Sequence, residues 1–189
     1  MAFTVVYDAC VLYPVRLRDL LIRAAYTPQL NLRARVTSQI IEELGRALIR
    51  TGAMPESRWV AHRAQIEAAV PDFVVNGYEI LIDGIDLPDP DDRHVVAAAI
   101  RAHASAVVTF NLADFPASTL DAYGLEAVHP DDFCCSLIDQ SAGACVDLIH
   151  QQREALVRPP LSVGELLERF SAMGLPLTAG RLRDELGLV

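Results

Sequence analysis

Hydrophobic positions divide the chain into two kinds of pattern. Phe3–Tyr7 (FTVVY) is a short β-branched and aromatic run that stops at Asp8, the mark of a buried strand. Pro14 then permits a helix start, and Leu17, Leu20, Leu21 and Ala24 give Val15–Ala25 helical spacing. Ser38–Arg50 (SQIIEELGRALIR) predicts a helix with Ser38 as its cap, and Glu56–Val70 predicts another. Phe73–Val75 and Glu79–Ile82 read as short extended segments. In LPDPDDRHVVAAAIRAH a Pro/Asp cluster gives way to an alanine-rich helix. Ala106–Thr109 (AVVT) and Leu125–Val128 are the remaining strand candidates. Strands that alternate with helices indicate a parallel sheet covered on both faces.

After Pro130 only helical patterns remain: Asp131–Asp139, Cys145–Leu156, Ser162–Ala172 and Thr178–Leu186. Ser162 and Glu165 have capping-box spacing. The breaks fall at Arg158-Pro159-Pro160 and at Gly174–Pro176. The organisation expected is an α/β domain over residues 1–130 and an all-helical extension over 131–189.

Composition narrows the class. Of 189 residues, 52% are hydrophobic and 22% charged, the balance of a globular chain. Charges interrupt every apolar stretch, so no membrane span is expected. The start, MAFTVVYD, has no basic leader, and the expected location is the cytoplasm. Cys10, Cys134, Cys135 and Cys145 lack a C-x-x-C spacing and read as reduced thiols. The net charge of −9 argues against a general nucleic-acid coat protein. Its distribution is uneven: residues 1–70 carry +3 and the remainder −12, and every basic residue is arginine.

The acids carry the candidate chemistry. Ligands of an open parallel sheet bind outside the carboxyl ends of its strands. Asp8 ends the first strand candidate, and Asn111 and Asp114 follow AVVT. In the alanine-rich helix Arg93, His94, Ala97 and Arg101 define an expected wet side. Asp92 projects away from that side and Asp91 further round, while Asp89 can serve as an N-cap ahead of Pro90. Glu42 points away from the stripe of Ile40, Ile41, Leu44, Ala47 and Leu48 and can pair with Arg46. Glu43 lies at the stripe's edge and can reach a cleft. Carboxylates about 4 Å apart repel by about 4 kcal/mol per pair at an effective dielectric near 20. A divalent cation removes that cost, and all-oxygen donors suit Mg²⁺ or Mn²⁺ rather than zinc. No P-loop and no G-x-G-x-x-G is present.

These residues resemble a PIN domain, as found in the VapC-type toxins of bacterial toxin–antitoxin pairs. VVYDACVLYPVRLRDLLIRAA resembles that family's first strand and helix, with Asp8 as its first acid. IIEELGRAL resembles the segment of the second, Glu43. DPDDRHVVAAAIRAHASAVVTFNLADFP resembles the remaining blocks, with Asp92 as the third acid and Asp89 and Asp91 as neighbours. The fourth position is shared between Asn111 and Asp114, with Thr109 as a supporting hydroxyl. Cys10 stands where many members carry Ser or Asn.

The resemblance implies a three-layer α/β/α, Rossmann-like fold and Mg²⁺- or Mn²⁺-dependent endonucleolytic cleavage of RNA, held off by a cognate antitoxin. Asp8, Glu43 and Asp92 would ligate metal, with Asp114 or Asn111 completing the site. Arg16, Arg18, Arg33, Arg35, Arg46 and Arg50 are candidates for phosphate contacts. The apolar helices near 15–25 and 38–50 could dock the antitoxin or a second copy in a homodimer, with core burial as the plainer use. Ser162–Leu186 is expected to pack on the core or engage the antitoxin. The alternative of another class is a PIN-like RNA- or partner-binding module without turnover. A haloacid-dehalogenase-type phosphatase would need a second Asp where Cys10 stands.

Overall fold

The computed structural model describes residues 3–156 and 160–188. Arg158 and Pro159 of the expected break lie outside the described residues. A four-stranded sheet has the order β2-β1-β3-β4, with β1 Phe3–Tyr7, β2 Leu32–Arg35, β3 Ala106–Val108 and β4 Glu126–Val128. All pairings are parallel. Its helices are α1 Ala9–Leu12, α2 Val15–Tyr26, α3 Ser38–Arg50, α4 Glu56–Glu67, α5 Arg93–Arg101 and α6 Ala117–Leu120. Right-handed crossovers that run in opposite directions along the sheet, first from β1 to β2 and then from β2 to β3 and on to β4, place their helices on opposite faces. The result is a three-layer α/β/α fold. The helical C-terminal part comprises α7 Pro130–Gln140, α8 Ala142–Ala155, α9 Val163–Ala172 and α10 Pro176–Leu186.

The central strands explain themselves. Val5, Val6 and Tyr7 of β1 and all of β3 are buried, which suits continuous β-branched runs. The edge strand β2 has the opposite signature: Leu32 and Ala34 are buried while Arg33 is exposed. That short alternation within a polar stretch kept it out of the sequence reading. Phe73–Val75 touches the sheet only through a parallel bridge of Val36 and Val74. Glu79–Gly84 is a 3-10 helix rather than an extended segment. The cap of α3 is Thr37, not Ser38, and its side chain accepts from the Ile40 N–H. The Ser162–Glu165 capping box is present.

The apolar stripes of α2 and α3 go into the core: Leu17, Leu20, Leu21, Ile40, Ile41 and Leu44 are all buried. The α5 helix has no wet side along its middle. Residues 94–99 are buried on every side, because α5 packs on both the sheet and the Glu79–Gly84 segment. Of this helix Arg93, Ile100 and Arg101 reach solvent, whereas His94 and Ala97, expected on a wet side, do not.

Gly45 lets α4 approach α3. A Cβ there would lie 2.3 Å from Cε2 of Trp59. Overpacking of that kind costs about 1–3 kcal/mol, while Gly→Ala in a helix returns at most about 1. Gly45→Ala is therefore expected to lower the melting temperature and shift the fluorescence of Trp59, the sole tryptophan. An unchanged emission spectrum with a raised melting temperature would contradict this packing.

Candidate active site

The strand register builds the site. Tyr7 pairs with Val108, so the next residues, Asp8 and Thr109, emerge side by side from the carboxyl ends of β1 and β3. The chain runs from β1 to β2 on one side and returns to β3 on the other. The gap between β1 and β3 is thus the switch point where open α/β sheets bind ligands.

Asp8 is 5% exposed and held on one oxygen only. The Thr109 hydroxyl donates to Oδ2 at 2.7 Å, and the Cys10 thiol donates to the same oxygen at 3.0 Å. Phe110 N–H donates to the Cys10 sulfur at 3.3 Å, and Asn111 N–H to the Thr109 hydroxyl at 3.0 Å. Oδ1 has no hydrogen-bond partner among the described residues. Burial, reinforced by the Asp8 charge, pushes the Cys10 thiol up to about 12. It therefore stays protonated and acts as a donor. The thiol performs the task of the Ser or Asn that the resemblance led one to expect.

Asp92 caps α5 by position but makes no capping hydrogen bond. Its carboxyl is pushed up to about 7, first by burial and then by the charges of Asp8, Asp89 and Asp114, with His94 acting the other way. These four acids therefore share one electrostatic neighbourhood. Asp89 is exposed and accepts from the Asp91 N–H at 2.9 Å, so the capping reading holds for Asp89. Asp91 is exposed and acts on none of its neighbours in this way. At the shared fourth position Asp114 is half-buried and its charge reaches Asp92, whereas the Asn111 side chain is exposed.

Glu43 joins the group through a residue that sequence reasoning misplaced. His94, only 2% exposed, puts Nε2 3.0 Å from Glu43 Oε1, out of line for a hydrogen bond. Its charge also acts on Asp92, so it touches both ends of the group. The same Glu43 oxygen takes Gln39 Nε2 at 3.4 Å and faces Arg46 at 3.8 Å. Glu42 pairs with Arg63 at 3.1 Å rather than with Arg46. A histidine two residues after the inward acid, in a run too apolar to be solvated, was the available signal.

The arginines separate as well. Arg18 is buried and donates to the Leu12 carbonyl at 2.6 Å, with His62 at 3.4 Å, so its position rules it out as a surface phosphate contact. Arg16 is half-buried with its Nε unpartnered, and Arg35 donates to the Ala34 carbonyl. Arg33, Arg46 and Arg50 are exposed.

All the oxygen donors here are hard carboxylates, the chemistry that suits Mg²⁺ or Mn²⁺. Among the described residues no three His, Cys, Asp or Glu side chains are already closed around one point as a metal cage. No helix among them is long and apolar enough to cross a membrane.

Comparison with known proteins shows the family. Residues 130–184 match the family model described as the VapC50 C-terminal domain. A relative from Mycobacterium tuberculosis (strain H37Rv), named "Putative ribonuclease VapC50", is 40% identical over 92 residues, 49% of this chain and 54% of the relative. The chain thus spans about half the length of the curated relative it matches. No solved structure matches it. The model described as PIN domain matches residues 4–113, more than half of the chain, and the chain belongs to the PIN domain family.

Proposed function

We propose that the chain is a divalent-metal-dependent endoribonuclease and the toxin of a toxin–antitoxin pair. Residues 1–130 would form the nuclease and 131–189 a helical extension. The observation that carries this reading is the convergence of Asp8, Asp92 and Asp114 at the switch point, close enough for Asp92 to be pushed up to about 7. The printed name of the relative supports the same chemistry.

The residues would act as follows. Asp8 offers Oδ1, because Thr109 and Cys10 pin Oδ2. Asp92 and Glu43 offer the other carboxylates, and Asp114 or Asn111 completes the set. A bound Mg²⁺ or Mn²⁺ would activate a water and offset the charge that gathers on the phosphate. His94, buried and 3.0 Å from Glu43, would help to orient that carboxylate. Arg46 and Arg50 would hold flanking phosphates of RNA. A cognate antitoxin would block the acids, and a guanidinium is suited to pair with carboxylates bidentately. A homodimer and a cytoplasmic location belong to the same reading.

The test is RNA cleavage with and without Mg²⁺ or Mn²⁺, comparing wild type with Asp8→Asn and Asp92→Asn. Losing several kcal/mol of charge stabilisation corresponds to about a thousandfold in rate. Cleavage that survives in both variants would belong to a contaminant. No cleavage by any form, across a broad RNA set and with antitoxin absent, would favour a non-catalytic RNA- or partner-binding module.

A further inference from the structure

A trough leads away from the acids along α3. Its first part, about 510 Å³, starts at Cys10 and Glu43 and runs between Tyr13 and the Leu44, Ala47, Arg50 and Thr51 side of α3. A second part, about 650 Å³, continues over the same helix past Arg46 and Arg50, with Glu56 at its far wall. The two share Glu43, Ala47 and Arg50, which lie on one helical stripe.

Three features of the trough go together. Tyr13 is 37% exposed yet fixed, because its hydroxyl donates to Thr51 Oγ1 at 3.0 Å. Thr51 in turn donates to the Ala47 carbonyl at 2.9 Å. Arg50 is exposed and forms no ion pair among the described residues. Arg46 is largely exposed and only grazes Glu43 at 3.8 Å. An aromatic ring tethered through its hydroxyl, an apolar floor of Leu44 and Ala47, and two cations on the rim suit a nucleotide: base against the ring, phosphate against the guanidiniums. The rim cations disfavour a basic peptide in the same place.

We infer that this trough is the subsite for the nucleotide next to the scissile phosphate of a single-stranded RNA, with Tyr13 stacking its base and Arg50 binding its phosphate. The inference rests on the nuclease reading of the acids. It extends that reading with a residue, Tyr13, that would hold the base beside the cut whatever its identity.

Binding separates the two ideas, because it needs no turnover. The full chain carrying Asp8→Asn is titrated in Mg²⁺ against two fluorescent eight-nucleotide probes. One is oligoadenylate, and the other is the same ribose-phosphate backbone without bases. Tyr13→Leu keeps apolar bulk but loses the π-face. It is expected to weaken oligoadenylate binding by roughly five- to a hundredfold, the range for one base stacked on an aromatic ring, and to leave the abasic probe unaffected. Tyr13→Phe keeps the ring and is expected to keep most of the preference. Arg50→Ala is expected to weaken both probes alike and flatten their salt dependence. If Tyr13→Leu left the ratio of the two affinities unchanged, or if neither probe bound, the subsite would be refuted. Wild-type cleavage with that ratio unchanged would sink the subsite alone. A shifted ratio in a chain that never cleaves RNA would sink the nuclease reading alone.

Discussion

Asp92→Asn is expected to abolish metal-dependent RNA cleavage and, in metal-free buffer at pH 8, to melt about 5–10 °C above wild type. Two local effects act on this carboxylate in opposite directions. Its place at the start of α5 favours negative charge by about 0.3–1 kcal/mol. Burial and the charges of Asp8, Asp89 and Asp114 push it up to about 7. Against the ordinary carboxylate value near ~4, and after discounting for solvent around a partly exposed group, that is on the order of 2–3 kcal/mol of destabilisation. Repulsion wins. A carboxyl raised in the folded state takes up a proton on folding. Its destabilisation is absent below about pH 4, grows as pH rises, and is complete above about 7. The excess stability of the variant should therefore close as pH falls from 8 to 4, and it should also shrink when Mg²⁺ is added to wild type. In a chain of this size 1 kcal/mol is worth about 2–4 °C. Thermal melts of both proteins at several pH values measure the difference, and a variant less stable than wild type at pH 8 would show that neither burial nor the neighbouring acids strain the Asp92 charge.

The site was legible to different depths at different residues. Asp8 and the Asn111–Asp114 segment could be placed because each follows a β-branched run, and a strand end fixes where the next side chain goes. Glu43 could be placed by helical rotation, and Asp92 by its position at the start of α5 rather than by any wet face of that helix. His94 could not. Rotation presupposes a wet side on α5, and the Glu79–Gly84 turn, packed on the helix from outside, removes it. The same limit hid Glu42–Arg63, which joins α3 to α4 across 21 positions. Strand β2 was missed because an edge strand of four residues with outward arginines carries no apolar run. Local pattern reports which residues want burial; it does not report what arrives to bury them.

The helical C-terminal part is expected to be inseparable from the sheet. Phe133 of α7 packs edge-on against Tyr7 of β1, with ring centroids 6.1 Å apart. Gln152 of α8 donates to the Arg16 carbonyl of α2 at 2.7 Å. Leu20 and Ala24 of α2 meet Cys134, Leu137 and Leu182 around a small internal cavity. One continuous core joins both parts. Asp131 ties the extension itself together. Leu175 precedes α10 and cannot cap it, so the buried Asp131 carboxylate on α7 accepts from Leu177 N–H at 3.0 Å, Thr178 N–H at 2.8 Å and the Thr178 hydroxyl at 2.6 Å. Asp131→Ala would strip a helix N-terminus of its cap and leave buried donors unpaired, at a cost of about 3 kcal/mol. Asp131→Asn keeps an acceptor but turns an amide toward the N–H groups, so it should fall between the alanine variant and wild type. Ending the chain after residue 130 removes every one of these contacts and uncovers Tyr7, Leu20 and Ala24, each large apolar side chain being worth about 1.5–3 kcal/mol when buried. That sum rivals the whole stability of a domain. The shortened chain is expected to be insoluble or to lack a cooperative melt, whereas Asp131→Ala should stay folded with a melting temperature several degrees lower. A soluble 1–130 chain that melts cooperatively and cleaves RNA would show instead that the sheet needs nothing from the helices beyond it.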